Sequence, residues 1–205
     1  ALLETYVDRA HEVAAYLEDN TPLRLMVSSS FTDYYADLPG GKPEGGRSLE
    51  SEPFDARAQL GADAPKVRTS PHLAWLTLDE GAKALIGGDV PADLAAQRER
   101  DDVRVIGSAL VASLYRGLID RGVEVVTGAR ADELVRDDDG AIVGAVVEQG
   151  GARRAIGARR GVVIATGGFE WNPELVKAFI GEPLEPMSPP HNEGDGLRMA
   201  MEAGA

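Results

Sequence analysis

Apolar residues recur at three- and four-residue steps over residues 2–17, and charged residues fill the gaps between them. This spacing predicts an amphipathic helix with one buried face, ended by Asn20 and Pro22. Apolar positions then alternate over 23–27, which predicts a short strand. Residues 37–66 hold many glycines and prolines and no periodic apolar pattern, so we expect a long loop there without a regular element.

The second half of the chain has a sharper pattern, after a weak helix predicted near 79–85. A further helix is expected from Ile106. Three leucines four residues apart mark one face of it: Leu110, Leu114 and Leu118. Gly122 is placed to cap its C-terminus. The run VEVVT at 123–127 is typical of a buried strand, so helix and strand together indicate an α/β fold.

Turn residues divide the rest of the chain into short segments. Three strands of a meander are predicted: 133–136, 141–148 and 154–158. Asp139-Gly140 and Gly150-Gly151 supply the tight turns between them. The apolar run GVVIAT at 161–166 predicts a last buried strand, and a helical pattern follows Gly194-Asp195-Gly196.

Composition narrows the classes of partner. Acidic residues outnumber basic ones by 34 to 21, for a net charge of −13, so we expect neither nucleic acid nor anionic lipid as a partner. The absence of cysteine excludes disulfides, thiolate catalysis and iron–sulfur clusters within this segment. No apolar run reaches the roughly 18 residues of a membrane span. A cytoplasmic location is the default expectation.

Two glycine-rich stretches are candidate ligand sites. The run 161–166 ends in Thr166-Gly167-Gly168, and glycine without a Cβ lets a flat or phosphorylated ligand approach the backbone. The alternative is a tight turn that needs positive φ. In HNEGDG at 191–196, Asp195 lies where a helix begins, and the exposed amides there can bind an anion. The alternative is an ordinary N-cap aspartate.

A third candidate is FTDYYADLPGG at 31–41, where two tyrosines precede a glycine-rich loop. A phenol in a cleft can act as an acid, a base or a hydrogen-bond donor, whereas the alternative is aromatic packing under the loop. The histidines His11, His72 and His191 lie too far apart in sequence to suggest a metal site, so we expect no metal. No G-x-G-x-x-G fingerprint follows a strand, so no dinucleotide pyrophosphate site of that type is encoded here.

Together these elements resemble a known family. GVVIATGGFEWN and HNEGDGLRMAMEAGA, in that order after the predicted meander, are similar to the FAD-binding domain of flavoproteins related to fumarate reductase and succinate dehydrogenase. The first half, with its Asp-Tyr-Tyr and Gly-Arg-Ser elements, is most similar to the 3-ketosteroid Δ1-dehydrogenase branch. The resemblance implies FAD as the cofactor and a Rossmann-like domain with parallel strands, a β-meander and flanking helices.

The resemblance also implies that the chain is incomplete. It would form the interior part of one FAD-binding domain over 1–205, with a helix and a long substrate-side loop region in 1–100. The helix–strand unit, the meander, the final strand and the last helix would lie in 101–205. The dinucleotide fingerprint and the substrate-capping domain would lie outside the chain. We expect apolar surface exposed at such cut ends to favour self-association of the isolated segment.

The family pattern assigns roles to individual residues. The implied FAD-binding groups are Arg130 and Ala131 at the adenine edge, Ala165, Thr166, Gly167 and Gly168 at the pyrophosphate and ribose, and Asn192, Gly194, Asp195 and Gly196 at the flavin end. Tyr34 would support the general base that removes a proton from the substrate, and the base itself would lie in the capping domain. Glu193 departs from the family, in which many members have threonine at this position.

The implied reaction is the dehydrogenation of a steroid-like 3-ketone, by proton removal beside the carbonyl and hydride transfer to flavin. The electron acceptor is not indicated. Two alternatives remain open: a fumarate-reductase-like flavoprotein acting on another enone or a dicarboxylate, and a non-catalytic binding or assembly module. The isolated segment is expected to be inactive.

Overall fold

The computed structural model describes residues 2–70 and 75–205, which form two units, Ala1–Val125 and Val126–Ala205. The prediction about His72 lies outside the described residues. Within them, no helix is long and apolar enough to cross a membrane. The fold class is mixed α/β, as predicted from the alternation of helical and extended patterns.

The first unit combines helices with two small antiparallel sheets. Its elements in chain order are α1 (Leu2–Asn20), β1 (Leu25–Ser28), β2 (Ser48–Ser51), β3 (Phe54–Asp55), α2 (Ala56–Leu60), a 3-10 helix (Gly61–Lys66), α3 (Leu78–Leu85), α4 (Leu94–Asp101), β4 (Val103–Arg104) and α5 (Ile106–Asp120). Strand β1 pairs with β2, and β3 pairs with β4.

Helix α1 forms where the periodicity places it, but its predicted buried face is wrong. None of its residues is buried, and its large apolar side chains are exposed: Leu2, Leu3, Tyr6, Val7, Val13 and Tyr16. Periodicity reports that a helix has an apolar side, whereas burial of that side requires another element to pack on it.

The expectation that 37–66 contains no regular element is also wrong. Strand β2 lies in this range because Ser48–Ser51 pair with β1, and such pairing needs no apolar period. Asp55 then starts α2 by accepting a hydrogen bond from the Ala58 amide at 2.8 Å. Elements this short are set by pairing and capping, so they leave no periodic signal in the sequence.

Helix α5 buries a different face from the predicted one. Its buried residues are Ala109, Ala112, Ser113, Tyr115 and Gly117, while Leu118 is exposed and Leu110 and Leu114 are half-buried. A Cβ added at Gly117 would lie 3.2 Å from Thr21 Cβ, so the small residues of α5 let the segment that contains Thr21 pack closely against the helix. The helix ends as predicted, since Gly122 has φ of +64° and donates to the Ile119 carbonyl at 2.9 Å.

The second unit contains the predicted meander. Its elements are β5 (Ala129–Arg136), β6 (Ile142–Gln149), β7 (Ala152–Gly157), α6 (Pro173–Phe179) and α7 (Asp195–Glu202). The sheet order is β5-β6-β7 with antiparallel pairing throughout. Gly150 and Gly151 both have positive φ, as a two-residue hairpin turn requires.

The two predicted buried strands are not strands in the described structure. Residues 123–127 and 161–166 have no ladder partner, and Val163 is 91% exposed. Every strand pair found within 2–70 and 75–205 is antiparallel. An apolar run becomes a strand only when another strand accepts its backbone hydrogen bonds, and none of the described strands does so.

Candidate functional site

Two glycine-containing segments of the second unit meet and form what we call the glycine junction, residues 166–168 and 192–196. The Gly194 amide donates to the Gly168 carbonyl at 3.1 Å. Beside this bond, the Trp171 amide donates to the Asn192 carbonyl, also at 3.1 Å. The structure therefore brings together two groups of predicted site residues that are more than 20 positions apart in sequence.

The glycines make this approach possible because side chains would not fit. A Cβ at Gly167 would lie 2.7 Å from the Asn192 side-chain oxygen. A Cβ at Gly194 would overlap Leu175 and lie 2.9 Å from Phe169 Cβ, and one at Gly196 would overlap the Thr166 hydroxyl. Gly167 and Gly194 also have positive φ. The turn with positive φ is therefore present, and the close approach seen here is between protein segments, so the approach of a ligand stays a prediction.

Helix α7 begins at this junction, and Gly194 is its N-cap. Since glycine has no side chain, no side-chain bond caps this helix start, and uncapped amides of this kind can bind an external acceptor. Asp195 is the first helical residue rather than the N-cap, so the ordinary N-cap alternative does not hold.

The carboxylate of Asp195 binds the guanidinium of Arg130. Arg130 Nε lies 2.9 Å from Oδ2, and Arg130 Nη2 lies 2.8 Å from Oδ1. Glu193 adds a longer contact of 3.3 Å to Nη2. The hydrogen bond that Arg130 donates to Asp195 is the main reason that the pKa of Arg130 is raised. This fork joins β5 to the first turn of α7.

Arg130 and Ala131 lie in β5, opposite Glu148 and Val147 of β6. Strand β5 is at the edge of the three-stranded sheet. In an edge strand, backbone groups that point away from the neighbouring strand are free to bind a ligand. The position is compatible with the predicted backbone contact to an adenine edge. Ala165 lies in the exposed segment that leads into the glycine junction.

Two side chains that sequence reasoning missed, Glu170 and Asn172, support the junction. Asn192 donates to Glu170 Oε1 at 2.8 Å, and this bond is the main reason that the pKa of Glu170 is lowered. Asn172 caps α6 by accepting from the Glu174 and Leu175 amides, and it donates to the Glu193 carbonyl at 3.1 Å. The Asn172-Pro173 pair is a helix-start signal that would have revealed this cap.

Tyr34 belongs to the first unit and is described within that unit. Its side chain is 89% exposed and makes an edge-on contact with Phe31, with ring centroids 5.8 Å apart. Tyr35 is also exposed, so the alternative of tyrosines packed under the loop does not hold. An exposed phenol that rests on a second ring can meet a substrate without first leaving a core.

A separate cleft of about 540 Å³ lies in the second unit beside α6. Its walls are mainly apolar and include Trp171, Pro173, Val176 and Leu184. Trp171 is oriented by donating its indole N–H to the carbonyl and hydroxyl of Ser188, at 3.3 and 3.2 Å. The cleft adjoins the glycine junction through Glu170, which lines one and binds Asn192 in the other.

Comparison with known proteins gives one family match over the full length. The profile of the family described as "FAD binding domain" matches residues 1–205. The curated protein 4-oxocyclohexanecarboxylate 2-dehydrogenase of Sinomonas cyclohexanicum is 36% identical over 210 aligned positions, covering 100% of this chain and 36% of that protein. The 3-oxosteroid 1-dehydrogenase of Mycolicibacterium smegmatis is 29% identical over 235 positions, covering 99% of this chain and 39% of that protein.

A solved structure is also similar. The 3-ketosteroid Δ1-dehydrogenase of Sterolibacterium denitrificans, in complex with 1,4-androstadiene-3,17-dione, matches with a TM-score of 0.84 and 28% identity. The match covers 98% of this chain and 40% of the other. A probable fumarate reductase of Shewanella frigidimarina is 31% identical over 48% of this chain. This chain therefore spans about two fifths or less of the length of these relatives.

Proposed function

Because this chain belongs to the family of FAD-binding domains, we propose that the whole protein is an FAD-dependent dehydrogenase that oxidises a 3-ketosteroid at the Δ1 position. Family membership confirms the predicted resemblance and FAD as the cofactor. The observation that carries the proposal is the structural match, at a TM-score of 0.84, to a 3-ketosteroid Δ1-dehydrogenase over 98% of this chain.

The residues of the second unit fit an FAD nucleotide. At the glycine junction the backbone is exposed over 166–168, and the uncapped first turn of α7 offers amide donors to an electronegative edge. We assign Ala165, Thr166, Gly167 and Gly168 to the pyrophosphate and ribose, and Asn192, Gly194, Asp195 and Gly196 to the flavin end. Arg130 and Ala131 are assigned to the adenine edge.

Each of these groups has a definite task in the proposed site. The Arg130–Asp195 fork holds the start of α7, and the Glu170–Asn192 bond orients the amide of Asn192. Bound flavin supplies the two-electron chemistry by accepting a hydride from a carbon next to the acidified position. The protein must therefore hold the ring rigidly and exclude water from it.

Tyr34 is assigned to the substrate side. Its exposed phenol can donate a hydrogen bond to the general base and so stabilise the deprotonated form that removes the hydrogen beside the ketone. A ketone acidifies that hydrogen because its oxygen takes up the developing negative charge. The base itself is assigned to the part of the protein outside these 205 residues.

The surrounding frame follows from the same proposal. We assign 1–205 to the interior of one FAD-binding domain. In that domain, 123–127 and 161–166 would pair as parallel strands with other parts of the whole protein. The exposed apolar side chains of 161–166 support that assignment, since a surface strand would carry polar ones. As long as these apolar side chains stay uncovered, we expect the isolated segment to self-associate. A cytoplasmic location remains the expectation.

A second candidate substrate is a smaller ring ketone that carries a carboxylate. The relative named for 4-oxocyclohexanecarboxylate has higher identity than the steroid enzyme, 36% against 29%. Its alignment is also shorter, 210 against 235 positions for nearly the same residues, so it contains fewer insertions relative to this chain. A dicarboxylate substrate of the fumarate reductase type and a non-catalytic module remain as alternatives.

The test uses the complete gene product. Its visible spectrum should show bound flavin, and a 3-ketosteroid added without oxygen should bleach that absorbance at a saturable rate. Bleaching by 4-oxocyclohexanecarboxylate but not by the steroid would transfer the assignment to the second candidate. Fumarate-dependent oxidation of pre-reduced flavin would favour the dicarboxylate alternative, and a colourless protein would favour the non-catalytic module.

A further inference from the structure

One carboxylate of the first unit lies among three consecutive serines. Asp79, in the first turn of α3, accepts from the Ser29 and Ser30 amides at 3.0 Å each. It also accepts from three hydroxyls, those of Ser28 at 3.1 Å, Ser29 at 2.7 Å and Ser30 at 2.5 Å. Ser28 ends β1, about 50 positions from Asp79, and Ser29 and Ser30 begin the segment 29–47, which we call the Tyr34 loop.

The same helix start also holds the other end of the Tyr34 loop. The Leu78 amide, adjacent to Asp79, donates to Glu50 Oε2 at 2.8 Å. Glu50 is buried in β2, the strand that the loop enters at Ser48. The start of α3 therefore touches both stems of the loop, one through an acceptor and one through a donor.

The loop between these stems is tightly built. Asp33 accepts from the Lys42 amide at 2.8 Å and forms an ion pair with Arg47, which also donates to the Gly40 carbonyl at 3.0 Å. A Cβ at Gly45 would lie 2.7 Å from the Ser29 carbonyl oxygen, so the loop folds back on its first residue. A change in the position of Ser29 and Ser30 is therefore passed on to the rest of the loop.

We propose that Asp79 is a positioning residue, which fixes the start of the Tyr34 loop and thereby places the Tyr34 phenol. The inference rests on the proposed function, in which Tyr34 acts on the substrate side. Asp79 itself touches no reacting group. Its contribution is to hold three residues that lie four to six positions before Tyr34, against an exposed loop's tendency to sample other conformations.

The chemistry of the contact explains why an aspartate is needed. All five neighbouring groups are donors, and the two carboxylate oxygens share them, with Oδ1 accepting from three and Oδ2 from two. Asparagine would replace one oxygen by an NH₂ group that faces donors. The backbone of α3 is fixed independently, because Thr77 and Glu80 form a capping box and Glu80 binds Arg98 at 2.5 Å. The short Asp79 side chain therefore acts from a rigid base.

The test compares Asp79→Asn with Asp93→Asn in the complete FAD-loaded protein. Asp79→Asn should speed hydrogen exchange of the Ser29 and Ser30 amides by roughly tenfold or more, because their charged acceptor is lost. It should lower kcat by roughly tenfold with a smaller change in KM. Asp93→Asn removes the same charge at the start of α4, where the side chain makes no capping bond, so it should leave exchange at Ser29 and Ser30 unchanged. Ser30→Ala is a milder variant with an intermediate effect if Asp79→Asn does not fold.

A double variant separates positioning from a general loss of stability. If Asp79 acts through Tyr34, Asp79→Asn should cost little further kcat in a Tyr34→Phe background. Unchanged exchange at Ser29 and Ser30, or additive losses in the double variant, would overturn the inference. If Tyr34→Phe is as fast as the native protein, the catalytic role proposed for Tyr34 fails. In that case, hydrogen exchange across 29–47 in Asp79→Asn decides whether Asp79 orders the loop. An unchanged exchange rate there would overturn the ordering role as well.

Discussion

The Tyr34 loop and the glycine junction are both held in place by residues far apart in sequence, yet by opposite means. The loop is held by carboxylates, with Asp79 outside it and Asp33 inside it. The two segments of the junction can lie this close only because Gly167, Gly194 and Gly196 have no side chains. Charge-based contacts can be weakened gradually by pH, salt or an isosteric amide. A steric fit tolerates no added atom, so its loss is abrupt.

The largest effect is expected at the junction, from Gly194→Ala. The new Cβ would overlap Leu175 and press on Phe169, at a residue with φ of +84°. Together, overpacking and the left-handed backbone should lower the free energy of unfolding by about 3 kcal/mol. Urea denaturation measures the loss, and the flavin spectrum of the complete protein should weaken in parallel.

Gly204→Ala is the matched control for that variant. Gly204 follows the same helix with φ of +91°, but an added Cβ there meets nothing within 4 Å. It should cost only the backbone component, about 1 kcal/mol. Equal losses for the two variants would mean that close approach at Gly194 contributes nothing, and the contrast between the two regions would disappear.

A smaller, pH-dependent effect is expected from Asp79→Asn on stability. Hydrogen bonds from Ser30 are the main reason that the pKa of Asp79 lies well below its usual range. A carboxylate with a depressed pKa stabilises the fold above its unfolded pKa of about 4 and loses that contribution as the pH falls below it. Because Asp79 is partly exposed, this contribution is small. We expect the free energy of unfolding of the native chain to exceed that of the variant by about 1 kcal/mol at neutral pH.

That difference should shrink steadily in acid, which urea titrations at several pH values can follow. Asp93→Asn is the control, since Asp93 heads α4 without a side-chain capping bond. A gap between native and Asp79→Asn chains that stays constant down to the lowest pH at which both fold would show that the charge of Asp79 is irrelevant.

The smallest effect is expected from Arg130→Met, which removes the electrostatic part of the junction. The Arg130 side chain is 58% exposed, so its fork with Asp195 should contribute about 0.5–1 kcal/mol and should weaken in roughly 0.5 M salt. Arg153→Met is the control, because Arg153 splits its contacts between Asp132 and Glu133 instead of gripping one carboxylate with two nitrogens. A loss at Arg130 as large as that of Gly194→Ala would make charge, rather than steric fit, the main force at the junction.

Much of the local structure was predictable from the sequence. The periodicity of α1 and α5 and the Gly150-Gly151 turn of the meander are signals that lie within a few residues of where they act. The order of the motifs also identified the family and its cofactor. The short elements of 48–66 were missed because pairing and capping, not an apolar period, create them.

Tertiary structure alone decided which faces are buried and which distant side chains meet. The small residues of α5 pack while its leucines stay partly open, and the apolar runs 123–127 and 161–166 find no ladder partner among the described residues. The contacts of Asp79 with the serines and of Arg130 with Asp195 join residues 49 to 65 positions apart. A sequence records how each segment prefers to fold, because those preferences arise between near neighbours. Which segments then touch depends on how the whole chain closes, and no local pattern contains that information.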